Sequence, residues 1–282
     1  VNGDRSMVVD LSATNPEGWE TDKGPRVKNQ TDAIIYEVHI RDISMDPNSG
    51  IQLKGTYKGF VEPGTKSAEG EATGIDHLKE MGVTHVHILP MYDFATVDET
   101  RMKDENYNKF NWGYDPKNYQ VPEGSYSTEP YSGTLRIEEM KEMIKALHDA
   151  GIGVIMDSVY NHTYSLDDSC FTKTVPGYYY RQTADGSVAN TSGCGNDTAS
   201  ERSMFRKYMI DSVTYWAKEY HIDGFRFDLM GIHDIETMNL IREELDKINP
   251  EIIMYGEGWD LGNVLPQEKE ALKVNMKDMN TR

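Results

Sequence analysis

The feature that most constrains this chain is an alternation of short branched-apolar runs with longer segments of helical periodicity. Ile34–Ile40 (IIYEVHI), Thr84–Pro90 (THVHILP), Gly153–Val159 (GVIMDSV), Ile222–Leu229 (IDGFRFDL) and Ile252–Glu257 (IIMYGE) read as strands. Between them, Leu135–Ala150 places Leu135, Met140, Met143, Ile144 and Leu147 at helical spacing, with Gly151 as a stop signal. Gly74–Gly82, Glu201–Tyr220 and Ile235–Ile248 carry comparable helical patterns. Strands alternating with helices at this spacing predict parallel βαβ units in an α/β fold. A βα barrel closes with eight units in roughly 250 residues, and only about five units are legible here. We therefore expect the N-terminal part of a TIM (β/α)8 barrel, with long loops after strands 2 and 3. Those loops, residues 91–134 and 160–199, are too long for plain connections, and loops after barrel strands build the functional face.

The domain division expected from this pattern is a polar, turn-rich segment 1–31, read as the tail of a preceding domain or a linker, followed by a partial catalytic barrel over 32–282. The start of the chain does not read as a native N-terminus. With 29 Lys+Arg against 47 Asp+Glu the net charge is −18, which argues against nucleic acid or anionic membranes as partners. No apolar run reaches the ~18–20 residues that span a bilayer. The 17 Tyr, 7 Phe and 4 Trp separate the chain from acidic disordered sequences. Cys170 and Cys194 read as free thiols, and secretion is left open.

Chemistry concentrates where strands end. Residues two apart share a sheet face, so Arg226 and Asp228 point one way and Phe225 and Phe227 the other. Phenylalanines suit the helix-packed side, which leaves Arg226 and Asp228 facing the barrel axis. The same parity pairs Ile155 with Asp157 and Tyr255 with Glu257. Three successive strands thus finish on an acid, and Asn161-His162 follows the first of these. Arg226 is expected to hold Asp228 ionised, while apolar neighbours of Glu257 are expected to keep it protonated. One charged and one protonated carboxyl is the pairing used in glycoside hydrolysis.

The motifs DSVYNHT (157–163), GFRFDLMG (224–231) and YGEGWD (255–260) resemble three signature regions of the α-amylase superfamily of glycoside hydrolases. With FNWGYDPKNYQVPEGSYS (110–127) and the PGYYYRQ…GCGNDTASERSM stretch, they resemble the type I pullulanases, which are starch-debranching enzymes. Phe110 stands where that family has tyrosine. The resemblance implies a retaining hydrolase of α-1,6 branch linkages in pullulan, amylopectin or glycogen-type α-glucans. It implies Asp228 as nucleophile and Glu257 as general acid/base. Arg226 would fix the nucleophile's charge, Asp157 and His162 would bind or orient the sugar, and Tyr114 would form an aromatic platform under it. Trp259 would lie on the leaving-group side. The expected partner is an α-glucan polysaccharide or oligosaccharide.

The superfamily's fourth region, a His-Asp pair, has no counterpart after Asp260, so this segment alone is expected to be an incomplete, inactive catalytic domain. His233-Asp234 comes too early in the order and reads as structural or substrate-lining. Alternatives are an α-1,4-acting amylase-type hydrolase, a non-catalytic glucan-binding fragment, or a metal hydrolase using His85 and His87 with Asp157 and Asp228. No cofactor is called for and no metal ligand set is assigned. Calcium is the one ion for which an acidic loop such as Leu166-Asp167-Asp168 leaves room.

Overall fold

The computed structural model describes residues 6–279, so the first five residues of the expected tail lie outside the described residues. In chain order the strands are β1 (Ile35–Val38), β2 (His85–Ile88), β3 (Tyr92–Phe94), β4 (Pro116–Pro122), β5 (Gly153–Ser158), β6 (Gly224–Phe227) and β7 (Ile253–Gly256). The α-helices are α1 (Asp42–Met45), α2 (Tyr57–Phe60), α3 (Gly74–Met81), α4 (Leu135–Asp149), α5 (Cys170–Thr174), α6 (Ser203–Glu219) and α7 (Ile235–Ile248). The five expected runs form one parallel sheet in the order β1-β2-β5-β6-β7, so strands consecutive in that sheet also follow one another along the chain. This is the α/β arrangement of a partial barrel, and its outer edges at β1 and β7 carry no strand partner among the described residues.

Period sets which face each helix buries. Met140, Met143, Ile144 and Leu147 of α4 are wholly buried, as are Phe205, Met209, Val213 and Trp216 of α6. Ile241 and Leu245 continue the pattern on α7. Each such side chain contributes about 1.5–3 kcal/mol when removed from water. Asp234 opens α7 by accepting the Thr237 N–H at 2.9 Å, the helix-capping geometry that satisfies an otherwise orphaned donor. His233-Asp234 is therefore built into a helix start. His233 is fully buried, and burial pushes its pKa down to about 3.

The first long interruption contains structure that the sequence pattern hid. β3 and β4 pair antiparallel inside it. β4 begins and ends in proline, a residue that lacks a ladder N–H and argues against a strand on sequence grounds. The hydroxyl of Tyr119 on β4 donates to the His162 carbonyl at 2.5 Å, and its own carbonyl accepts from Trp216 at 2.9 Å. The inserted pair is thereby fastened to both the sheet's loops and its helices. Cys170 and Cys194 are free, exposed thiols. No helix among the described residues is long and apolar enough to cross a membrane.

The segment expected as tail or linker packs on the helices. Trp19 is buried and stacks on His221 with ring centroids 4.1 Å apart. Lys141, fully buried on α4, reaches Thr14 at 3.1 Å, Asn15 at 2.7 Å and Glu219 at 2.5 Å. Asp22 lies 2.8 Å from His148 Nδ1 and 2.9 Å from His221 Nδ1, and Asp223 lies 2.8 Å from His148 Nε2. Burial opposes charge on His148, yet its two carboxylate partners outweigh burial and raise the pKa to about 9. The same two histidines hold Asp22 well below the usual carboxylate range against its own burial.

The signs are definite. A raised histidine pKa adds stability that is complete below the unfolded value of about 6.5 and is lost as pH rises through about 9. The lowered Asp22 pKa adds stability that is present above about 4 and is lost under acid conditions. We expect His148→Gln to cost roughly 2–3 kcal/mol at pH 7 and to flatten the alkaline decline of stability. Urea unfolding of the intact polypeptide between pH 6 and 10 checks this, and an unchanged slope rejects the clamp.

Candidate active site

The parity read from the strands places the expected side chains on one side of the sheet. Phe225 and Phe227 are wholly buried against the helices. Arg226 points the other way and meets three acids. Its Nη1 donates to Asp157 at 2.8 Å and to Asp228 at 2.9 Å, and its Nη2 lies 2.6 Å from Glu257 Oε1. The registers Asp157↔Arg226 and Arg226↔Tyr255 bring neighbouring strands level at this point. One planar, permanently charged fork thus gathers carboxylates from three strand ends.

Each acid has its own surroundings. Asp157 is completely buried, and its Oδ2 also accepts from the Tyr114 hydroxyl at 2.7 Å and lies 3.2 Å from His87 Nε2. Asp228 is nearly buried. Burial first, and then the charge of Asp157, push its pKa up to about 6 against the opposing pull of Arg226 and Asn161. Glu257 is more open, with its side chain 29% exposed.

Here the structure departs from the sequence reading. Arg226 is expected to hold Asp228 ionised; it does donate to Asp228 at 2.9 Å, but burial and the charge of Asp157 outweigh it and raise the Asp228 pKa. Glu257, expected among apolar groups, accepts from both Arg226 and the Leu229 N–H, the latter at 3.1 Å. Strand parity predicts facing but not how a long guanidinium divides itself among three acids. The Leu229 contact has a structural cost. Leu229 sits at φ 41°, a left-handed conformation that a branched side chain resists. That turn aims its N–H at Glu257. Gly231 then lets the chain pass, since a Cβ there would stand 2.1 Å from the Trp259 carbonyl oxygen.

The remaining expected residues are placed as follows. Tyr114 lies half-buried with its hydroxyl on Asp157. His162 is buried, with Nδ1 2.6 Å from Asn161 Oδ1 and Nε2 2.9 Å from the Tyr114 carbonyl. Both ring nitrogens of His162 are therefore engaged by the protein itself. Trp259 stands 59% exposed just beyond Glu257. His87 contacts Asp157 and Glu37, the latter at 3.4 Å, and packs edge-on against Tyr255. His85 turns to Thr84 at 2.9 Å. Sequence reasoning gave Asn161 no role, although its place in the DSVYNHT motif marked it.

Among the described residues, the group placed to hold a metal ion is a different one. Asp93, Glu99 and Glu123, all buried, bring carboxylate oxygens within 4.8 Å of one another. Arg136 approaches Glu99 at 3.0 Å. Burial, followed by neighbouring negative charge, raises Glu123 to about 8. Asp168 in the loop named for calcium is exposed and pairs with Lys173 at 2.5 Å.

Breaking a buried ion pair strands the remaining charge. Arg226→Ala leaves the fully buried Asp157 without its cation, and we expect a loss of roughly 3–5 kcal/mol. Adding Asp157→Asn should return part of it. Thermal unfolding of the two variants checks the pairing, and no recovery in the double variant would show that the guanidinium acts through other groups.

The chain is similar to known proteins along nearly its whole length. Residues 57–185 match the family described as the alpha amylase catalytic domain. Pullulanase of Bacillus subtilis (strain 168) is 44% identical over 279 residues, covering 99% of this chain and 38% of that protein. The crystal structure of pullulanase from Paenibacillus barengoltzii, in complex with maltohexaose and alpha-cyclodextrin, superimposes with a TM-score of 0.96 at 51% identity. That alignment covers 99% of this chain and 43% of the other. Pullulanase from Bacillus acidopullulyticus gives a TM-score of 0.93 at 48% identity, over 98% of this chain and 34% of its own. The chain thus spans less than half the length of these relatives. From the sheet, the strand-end acids and these similarities together, the chain is similar to pullulanases over nearly all of its length and to the alpha amylase catalytic domain over residues 57–185.

Proposed function

We propose that residues 32–282 form the N-terminal part of a catalytic barrel that hydrolyses α-1,6 branch linkages of α-glucans with retention of configuration. The observation carrying this reading is the single guanidinium that holds Asp228 and Glu257 side by side next to the ring of Tyr114. In the first step Glu257 protonates the glycosidic oxygen while Asp228 attacks the anomeric carbon. In the second, water gives its proton to Glu257 and releases the sugar from Asp228. A retaining pair of carboxyl groups stands about 5–5.5 Å apart, close enough for direct attack.

The charges suit these roles. With a pKa of about 6, Asp228 is mostly ionised at pH 7, as a nucleophile must be. Glu257, more open than Asp228, is the group left to carry the proton to the glycosidic oxygen. Tyr114 offers a flat face to the apolar C–H side of a pyranose, Asp157 and His162 hold that face in place, and Trp259 awaits the leaving group. The proton donor and the nucleophile are both side chains, so the reaction requires no cofactor.

The solved relatives bear on substrate class, since the Paenibacillus enzyme was crystallised with maltohexaose and alpha-cyclodextrin. The α-1,6 preference rests on the Asn111–Pro116 motif (NWGYDP) and on the pullulanase relatives. Pullulan digestion by the intact polypeptide tests it: maltotriose as product supports debranching, whereas uncut pullulan with cleaved starch indicates an α-1,4 amylase. Asp228→Asn and Glu257→Gln should each abolish turnover while leaving glucan affinity, and kcat/KM should fall as pH drops through about 6 because Asp228 gains a proton. Turnover that survives Asp228→Asn removes the mechanism.

A further inference from the structure

Asn161 occupies an unusual position among the groups around Asp228. It is completely buried and lies just beyond β5, on the loop that separates that strand from α6. Its Nδ2 stands 2.9 Å from the Asp228 carboxylate Oδ2 and 2.9 Å from the Asp228 backbone carbonyl. Two acceptors on one side fix the amide orientation, since reversing it would set oxygen against oxygen. Oδ1 then accepts from His162 Nδ1 at 2.6 Å, which puts the one proton of a neutral imidazole on Nδ1, since burial lowers the His162 pKa. His162 Nε2 lies 2.9 Å from the Tyr114 carbonyl with no proton to give it, and the Tyr114 hydroxyl returns to Asp157, which shares Arg226 with Asp228. The contacts close into a ring.

Two consequences follow from the geometry. Arg226 holds Oδ1 of Asp228 and Asn161 holds Oδ2, so the carboxylate is pinned at both oxygens and its rotation about the Cβ–Cγ bond is blocked. Asn161 also grips the backbone of the same residue, which ties the carboxylate plane to the strand end. A nucleophile must present one oxygen along a defined line to the anomeric carbon, and misplacement of about 1 Å can cost on the order of a hundredfold in rate.

We propose that Asn161 is a positioning residue for the nucleophile: its amide sets the orientation of the Asp228 carboxylate and favours its ionised form, with His162 keeping that amide in place. This rests on Asp228 acting as the nucleophile. The groups that otherwise set the charge of Asp228 are Arg226 on its own strand, Asp157 on β5, Glu257 after β7, and Tyr114 and Cys194 from the two long loops. Of the charged carboxyls, Asp157 and Glu257 push its pKa up, and Asn161 joins Arg226 in opposing them.

The test uses Asn161→Ala and the near-isosteric Asn161→Asp in the intact polypeptide, with kcat, KM and the acidic limb of the pH profile measured on pullulan. Loss of a hydrogen bond to a charged group predicts a kcat lower by roughly tenfold to a hundredfold, with KM changed less than about twofold because uniform binding is untouched. The acidic limb should move to higher pH in Asn161→Ala and further still in Asn161→Asp, which sets a second carboxyl against the first. A merely structural residue would tolerate the isosteric change and leave the limb where it was. Unchanged kcat, or a fall in kcat without displacement of the limb in the folded Asn161→Asp variant, overturns the proposal. Asp228→Asn, run alongside, isolates the underlying assignment: if that variant still turns over, the nucleophile is misassigned whatever Asn161 does.

Discussion

One guanidinium organises this site. Arg226 answers to three carboxylates, and the fully buried Asp157 has that charge 2.8 Å away. A carboxylate buried without a paired cation would be costly. Arginine suits the task better than lysine, since its planar fork reaches several acceptors at once and does not surrender its proton. The parallel registers of β5, β6 and β7 deliver the acids to that fork, so sheet geometry and site electrostatics are one problem.

Around this pair of strand ends the chain accepts local strain. Leu229 adopts a left-handed conformation and Gly231 passes within contact distance of the Trp259 carbonyl, and both serve to bring the backbone that follows Asp228 under Glu257. Such strain persists where surrounding contacts over-determine it. Here the over-determination comes from the ring of polar contacts through Asn161, His162, Tyr114 and Asp157, and from Tyr119, which anchors the His162 backbone to the inserted β3–β4 pair. The long loops therefore act as the outer wall that fixes the polar groups at the sheet's end.

The far side of the molecule solves a different problem with similar means. A chain with net charge −18 must place acids where cations can reach them. Asp22 and Asp223 share His148, and Lys141 is spent on the segment before β1. These contacts fasten the polar N-terminal stretch to α4 and to the turn at His221. Ionic partners make that attachment dependent on pH in a way that the apolar core under α4, α6 and α7 is not.

The sequence by itself settled what depends on local period: the five strands of the parallel sheet, the helices α3, α4, α6 and α7, and which side chains share a face. Phe225 and Phe227 against Arg226 and Asp228 is a property of a two-residue repeat, and no distant contact alters it. Asn161 and His162 were visible as a motif, but their link to Asp228 crosses 67 positions and exists only once β5 and β6 lie side by side. Likewise, only tertiary structure decided that Arg226 also takes Glu257, that Asp157 is sealed from water and Asp228 carries a raised pKa, and that proline-bounded β4 is a strand at all. Those outcomes follow from register between strands and from the exclusion of solvent, which are long-range quantities that a linear pattern of residue types does not encode.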